Sequence, residues 1–264
     1  MLNLWSKNQP FPEPFPRGMV ILVDKPLGWT SFDVVGKARW ALSRRLGTRK
    51  LKIGHAGTLD PLATGLLILC VGEYTKKIET FQAMPKAYTG TFTLGGTTAS
   101  FDLEKPVDAI FPTGHLDDAL LQEAAKQFVG DIMQLPPMFS AVKVDGRRLY
   151  QNARTGETVE LPQRPVRIES FEIGPLRPVP PAERRAPSSV GKIMLHADYA
   201  DGVQVDFRVV CGKGTYIRSL AHDFGQSVGS GAYLSSLRRT DTGGFSVEAA
   251  WDMETLVKTL SGSR

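Results

Sequence analysis

Apolar and polar positions along this chain follow two rhythms, and each predicts a different set of elements. Met19 to Val23 is a short continuous apolar run closed by Lys25-Pro26, which predicts a buried strand. Leu66 to Val71 predicts a second. Tyr88 to Leu94 alternates instead, with Tyr88, Phe92 and Leu94 on one face and Thr89, Thr91 and Thr93 on the other, the pattern of a half-buried strand. Val142 to Val144, followed by Asp145-Gly146, reads as a strand and a tight turn. Val166 to Ile173, Ile193 to Tyr199 and Val203 to Val210 are further strand candidates.

The helical rhythm occurs four times. Phe32, Val35, Ala38 and Leu42 form an inward stripe, with Thr30 or Ser31 as cap and Gly47 beyond the end. Asp117 to Phe128 is amphipathic, with Leu120, Leu121, Ala124 and Phe128 inward. From Thr215 a helix carries Ile217, Leu220, Ala221 and Phe224, and Gly225 is placed at its end. Met253 to Leu260 is the last. Strands are many, and helices fall among them without a strict βαβ alternation. The predicted class is α+β with a central mixed, mostly antiparallel sheet and flanking helices. Residues 1–17 read as a Pro-rich, loosely held arm, and Pro175 to Lys192 as an exposed loop insertion.

Composition narrows the class of protein. The chain has 264 residues, 42% hydrophobic and 22% charged, which is enough apolar material for a core and excludes wholesale disorder. No apolar run approaches the ~20 residues of a membrane helix. The N-terminus lacks the apolar middle of a signal peptide. A cytoplasmic location is therefore expected. Cys70 and Cys211 form no metal-binding or redox pair and are read as buried thiols. His55, His115, His196 and His222 show no zinc-ligand spacing, so no metal site is expected.

Net charge is +5, and its distribution matters more than its size. Lys37, Arg39, Arg44, Arg45, Arg49, Lys50 and Lys52 fall between Gly36 and Ile53 with no acidic residue among them. Lys143, Arg147, Arg148 and Arg154 form a second cluster. Lys213 and Arg218, with Arg238 and Arg239 further on, form a third. Such stripes suit a phosphate backbone. A solvated helix face fits a charge run equally well.

Three segments have the composition of a site. Lys52 to Gly65, KIGHAGTLDPLATG, is too rich in glycine and small residues to fill a core. It suits a tight loop that lets a ligand approach the backbone. Asp60 precedes Pro61, which holds its backbone away from the helical region. A plain Asp-Pro turn is the competing reading. The loop lacks the Gly-Lys-Ser/Thr arrangement of a nucleotide-phosphate cradle. Cys211 to Gly225, CGKGTYIRSLAHDFG, leads from a strand into a helix, with Tyr216 and Arg218 in the first turn and off the buried stripe. Lys86-Ala87-Tyr88 opens an alternating strand. Its tyrosine can stack on a base or simply fill a core.

These segments together carry a resemblance. GHAGTLDPLATG with Lys52 before it, Lys86-x-Tyr88, QLPPMFSAVKVDGRRLY at Gln134 to Tyr150, GTYIRSLAHDFG at Gly214, and MVILVDKPLGWTS near the start occur in the order seen in the TruB-type bacterial tRNA pseudouridine synthases. The chain resembles that family over residues 18–245. The resemblance implies a pseudouridine-synthase-like catalytic domain over 18–250 with a basic cleft. It implies isomerisation of one uridine in the T-arm loop of tRNA, position 55, to pseudouridine. Asp60 matches the catalytic aspartate, and Tyr88 the tyrosine that stacks on the target base. Tyr216 matches an active-site tyrosine, and Arg218 the arginine that pairs with the catalytic aspartate. His55 matches a histidine that holds the emptied loop, and Lys25 a lysine near the active site.

Chemistry fits this implication. The reaction breaks a C–N bond and forms a C–C bond with no net oxidation or hydrolysis, so no cofactor is expected. Many family members continue into a small RNA-binding domain of the PUA type. Here about twenty residues follow Phe245, so a short form is expected, ending in a helix over 251–264. A monomer that binds tRNA and no membrane is the expected state. Two alternatives stay open: a tRNA-folding factor using the same basic patches, and a synthase acting on another structured RNA. A glycoside hydrolase is disfavoured, because it needs two carboxylates and the GTLDP loop supplies one.

Overall fold

The computed structural model describes residues 2–137, 143–144, 147–148, 162–180, 188–191 and 193–261. The chain divides into two compact units. The first holds Met1–Tyr88, Val190–Ile193 and Leu237–Arg264, and the second Thr89–Ser189 and Met194–Ser236.

The first unit is built on the two predicted apolar runs. Gly18–Lys25 pairs antiparallel with Ala63–Gly72 along its whole length, from Gly18 opposite Gly72 to Lys25 opposite Gly65. Alternate residues point to opposite faces, and here both faces are buried. Met19, Ile21, Val23, Leu67, Leu69 and Val71 enter one core. Val20, Leu22, Leu66, Ile68 and Cys70 enter the other. Two-sided burial is why these strands read as continuous apolar runs. Parallel partners are added by Leu4–Trp5, Leu237–Arg239 and Trp251–Asp252.

Helix α1, Ser31–Arg45, and the helix Met253–Ser261 cover the first core. Thr30 caps α1 with a reciprocal pair: its hydroxyl accepts from the Asp33 amide at 3.0 Å, and the Asp33 carboxylate accepts from the Thr30 amide at 2.9 Å. Such a cap contributes about 1 kcal/mol. The buried stripe is Ser31, Val34, Val35, Ala38, Ala41 and Leu42. Phe32 does not belong to it and is 68% exposed. At 100° per residue Ser31 falls at the centre of the stripe, and Phe32 turns away from it.

The N-terminal arm is tied down rather than loose. Trp5 is buried between Phe11 and Trp251, and Asn3 accepts from the Val20 amide at 2.8 Å.

In the second unit Arg164–Ile173 pairs antiparallel with Val203–Cys211 on one side and Gly130–Gln134 on the other. Phe92, Phe128, Phe171, Phe207 and Phe224 form an aromatic core beneath the helices Asp118–Lys126 and Ile217–Ser227. Several expectations are corrected here. Leu120 is 37% exposed, leaving Leu121, Ala124 and Ala125 as the inward side. Thr93 is fully buried, because the strand Lys86–Leu94 is covered on both faces at that end; its hydroxyl bonds Ser235. Gly225 lies inside its helix, Ile217–Ser227, rather than at the end, and close packing accounts for the glycine there: a Cβ would come within 2.4 Å of the Ala232 amide nitrogen.

The 175–192 insertion is also not simply an exposed loop. Arg177–Pro178 adds a strand to Val203–Gln204, and Val179 is buried. Lys143–Val144 and Arg147–Arg148 pair antiparallel around the predicted turn. Arg154, Asp145-Gly146 and the side chains of Lys143, Arg147 and Arg148 lie outside the described residues. Among the described ladders most are antiparallel and three are parallel, so the fold is α+β on a mixed, mostly antiparallel sheet. Among the described residues no helix is long and apolar enough to cross a membrane.

Candidate active site

The glycine-rich segment becomes a clamped loop in the first unit. It connects the strand Ile53–His55 to Ala63–Gly72. Gly57 and Gly65 both have φ near +100°, where a side chain is strained. A Cβ at Gly65 would also lie 2.3 Å from the Arg239 carbonyl oxygen. These two glycines are therefore required by the turn and by close backbone approach.

Asp60 sits in this loop, and the residue before it is held at both backbone groups. The buried Ser31 hydroxyl accepts from the Leu59 amide at 2.9 Å and donates to the Leu59 carbonyl at 3.2 Å. After it, the Gly28 amide donates to the Pro61 carbonyl at 2.8 Å, and the Ala63 amide to the Asp60 carbonyl at 3.0 Å. The start of α1 and the turn before it thus fix the carboxylate's backbone.

Two buried cations bear on the loop. Lys25 is fully buried, and its ammonium donates to the carbonyls of Trp29 at 2.6 Å and Pro26 at 3.0 Å, with Pro61 at 3.4 Å. Burial pulls its pKa down to about 8; the Asp60 carboxylate opposes that shift and Arg239 adds to it. Lys25 is thus a structural cation in the field of Asp60. Arg239 is 1% exposed. Its Nε donates to the Leu66 carbonyl at 2.7 Å and its Nη2 to the Gly57 carbonyl at 3.1 Å. Arg238, its neighbour, pairs bidentately with Asp24 at 3.0 and 2.7 Å.

The sequence grouped both arginines in a basic cluster suited to a phosphate backbone or to a solvated face. Arg239 is instead consumed by the loop. Strand alternation sends the two side chains to opposite faces, and that was the available signal.

His55 ends the strand before the loop and is half-buried. Its ring meets Phe32 edge-on at 5.3 Å between centroids. Burial, and secondarily Arg239, lower its pKa. Tyr88 lies on the strand Lys86–Leu94 and is 8% exposed. Lys86 beside it is buried and donates to the carbonyls of Gln82 and Met84, both at 2.6 Å.

Tyr216 and Arg218 belong to the second unit. Gln134 grips Tyr216 from both sides: its Oε1 accepts from the Tyr216 amide at 2.7 Å, and its Nε2 donates to the Tyr216 carbonyl at 3.0 Å. Arg218 is 4% exposed, which corrects the expectation that it lies off the buried stripe. Its Nε is 3.7 Å from Asp102 Oδ2, and its Nη1 donates to the Ser100 carbonyl at 3.3 Å. Asp102 also accepts from the Ser100 hydroxyl at 2.6 Å and the Glu104 amide at 2.9 Å. Within its unit Arg218 is thus oriented by a built carboxylate. Asp102 carried no signal in the sequence, where it stands two residues before Glu104 in no recognisable motif. Lys25, His55, Asp60 and Tyr88 are held within the first unit, and Tyr216 and Arg218 within the second.

Residues 44–217 match the N-terminal domain of the TruB family pseudouridylate synthases. Residues 218–262 match the tRNA pseudouridylate synthase B C-terminal domain. The chain belongs to the TruB family. It is 48% identical over 250 residues to tRNA pseudouridine synthase B of Flavobacterium johnsoniae, covering 94% of this chain and 99% of that protein. With the Chloroherpeton thalassium tRNA pseudouridine synthase B it shares 42% over 250 residues, 92% of each.

Among solved structures it is similar to a crystal structure of a Cbf5-Nop10-Gar1 complex. The TM-score is 0.59 at 27% identity, covering 96% of this chain and 61% of that one. As a TruB-family member the chain is a tRNA pseudouridine synthase, and its pseudouridine-synthase fold agrees with that neighbour. His55, Asp60, Tyr88 and Tyr216 fall within the first matched domain, and Arg218 opens the second.

Proposed function

We propose that this TruB-family enzyme isomerises the uridine at position 55, in the T-arm loop of tRNA, to pseudouridine, with Asp60 as the catalytic residue. The observation that carries the reading is the Asp60 loop. The backbone that carries its carboxylate is fixed by Ser31 on Leu59 and by the turns at Pro61 and Ala63, and the carboxylate lies in the field of a buried lysine. A carboxylate so held is pre-organised for attack or proton abstraction at a bound nucleoside.

The reaction is balanced within the substrate. The bond from the sugar to N1 breaks, the base turns, and a bond forms between the sugar and C5. The proton on C5 leaves and N1 gains one. Extracting the base from its stack costs a few kcal/mol. Stacking on an aromatic such as Tyr88, at about 1–3 kcal/mol, offsets much of that. The assignment of Tyr216 and Arg218 to the same centre rests on the match of their motif. In this reading Arg218 favours the ionised form of the catalytic carboxylate by attraction, and Tyr216 positions the base.

The test uses an unmodified tRNA transcript and the purified chain, with pseudouridine mapped by chemical labelling. One T-loop uridine converts with wild type and none with Asp60→Asn. Conversion by the Asn variant, or conversion at a different uridine only, overturns the assignment.

A further inference from the structure

Helix α1 exposes a face that the core does not use. Phe32, Gly36 and Trp40 follow one another at intervals of four residues, opposite the buried stripe. Phe32 is 68% and Trp40 46% exposed. Between them Gly36 is a bare notch, and a Cβ built there meets nothing within 4 Å. Packing therefore does not require glycine at this position, although glycine weakens a helix interior relative to alanine.

The two rings stand about 12 Å apart along the helix axis. They border a groove of about 650 Å³ that Trp29 and Gly191 also line. Lys37 lines it as well, and two cations lie against the indole: Lys37 Nζ is 5.0 Å and Arg44 Cζ 5.1 Å from the Trp40 ring centroid. Asp33, a carboxylate on this face, is engaged with Thr30 in the helix cap.

We propose that the Phe32–Gly36–Trp40 face is a stacking platform for unpaired nucleotides of the RNA substrate, a subsite separate from the one that receives the target uridine. It rests on the reading of the substrate as tRNA. Charge complementarity selects the occupant, since aromatic rings interleaved with cations and open to solvent suit a nucleotide strand. Unpaired nucleotides are required because a paired base offers no free face to a ring. An exposed cation–π contact is weaker than base stacking, so an arriving base displaces Lys37 or Arg44 from the indole and leaves it free for a phosphate. The platform is continuous with the candidate site, because the Phe32 ring touches His55 at the head of the Asp60 loop.

The test measures equilibrium binding and conversion of an unmodified tRNA transcript by the full chain and its variants. Phe32→Leu and Trp40→Leu each weaken binding by about tenfold and raise KM, with kcat at saturation preserved. Phe32→Tyr and Trp40→Phe restore binding. Gly36→Leu, which fills the notch with a good helix former, weakens binding while melting stays at the wild-type temperature. If the double leucine variant binds within twofold of wild type while wild type converts its uridine, the platform is overturned and the proposed function stands. The face then serves a protein partner or nothing. If leucine variants bind as wild type but alanine variants do not, stacking is overturned in favour of plain apolar contact. If wild type converts no tRNA uridine, yet tRNA binding still depends on the two rings, the platform stands and the proposed reaction falls.

Discussion

Arg239 donates to the carbonyl of Gly57 at 3.1 Å from a position that is 1% exposed, so a buried guanidinium holds the loop that carries Asp60. A second bond, to Leu66 at 2.7 Å, ties the same side chain to the strand after the loop. Arg239→Ala leaves both carbonyls unsatisfied, and each charge-assisted bond is worth about 1.5–3 kcal/mol. The expected outcome is a loss of about 3 kcal/mol of stability, measured by denaturant unfolding. Turnover falls, while KM for tRNA changes little because the residue is inaccessible to RNA. Arg239→Lys keeps the charge but not the fork, and recovers stability more than turnover. A KM effect as large as the kcat effect is the outcome that sinks this role.

Asp102 orients Arg218 across 3.7 Å in a site where both are nearly buried. Asp102→Ala removes an ion-pair partner together with acceptors for Ser100 and Glu104. Breaking a buried pair from one side costs about 3–5 kcal/mol. Asp102→Asn keeps an acceptor for the Glu104 amide and loses less stability. If Arg218 belongs to the active centre, kcat falls in the Asn variant by more than its change in melting temperature explains. Full activity in a folded Asn variant removes Asp102 from that role.

Tyr88 is 8% exposed, so its ring is pre-positioned. Tyr88→Phe keeps the stacking surface and the tRNA affinity, and loses turnover through its missing hydroxyl. Tyr88→Leu loses turnover and weakens binding by about 1–3 kcal/mol. Single-turnover rates and filter binding separate the two. An unchanged rate in the Phe variant assigns stacking as the whole contribution of this residue.

How far the sequence reached depends on what each element buries. Met19–Val23 and Leu66–Val71 were legible because both faces of each strand enter a core, which leaves an unbroken apolar run. The Asp60 loop was legible because its turn and close approach demand glycine at 57 and 65. Phe32 was misplaced because an aromatic at an approximate helical spacing looks like core, whereas the buried stripe of α1 is centred on Ser31, Val34, Val35, Ala38, Ala41 and Leu42. The burial of Arg218 and the bonding of Arg239 were missed for a different reason. A charge in a sequence gives no hint of the carbonyls and carboxylate that long-range pairing brings to it. The alternation predicted from Tyr88 to Leu94 is not the burial pattern found: Thr89–Thr91 is half-buried throughout, and Thr93 is buried along with Phe92 and Leu94, because polar threonines in a sequence do not show where a strand is covered on both sides.

Asp223 gives a pH signature that is independent of catalysis. It sits on the helix Ile217–Ser227, and burial pushes its pKa from 3.8 up to about 6. The folded state therefore binds this proton more tightly than the unfolded chain does. Between about pH 4 and 6 the native protein holds more protons, so its stability falls as pH rises through that window. Above pH 6 the penalty is complete and flat; below pH 4 it is absent. The full shift corresponds to at most about 3 kcal/mol, and partial solvent access reduces it. Asp223→Asn is neutral at every pH and escapes the penalty. Its melting temperature is expected to exceed that of wild type by several degrees at pH 7.5, with the difference closing toward pH 4. A gap that is constant across pH, or that widens as pH falls, assigns the effect to lost hydrogen bonds rather than to a buried charge.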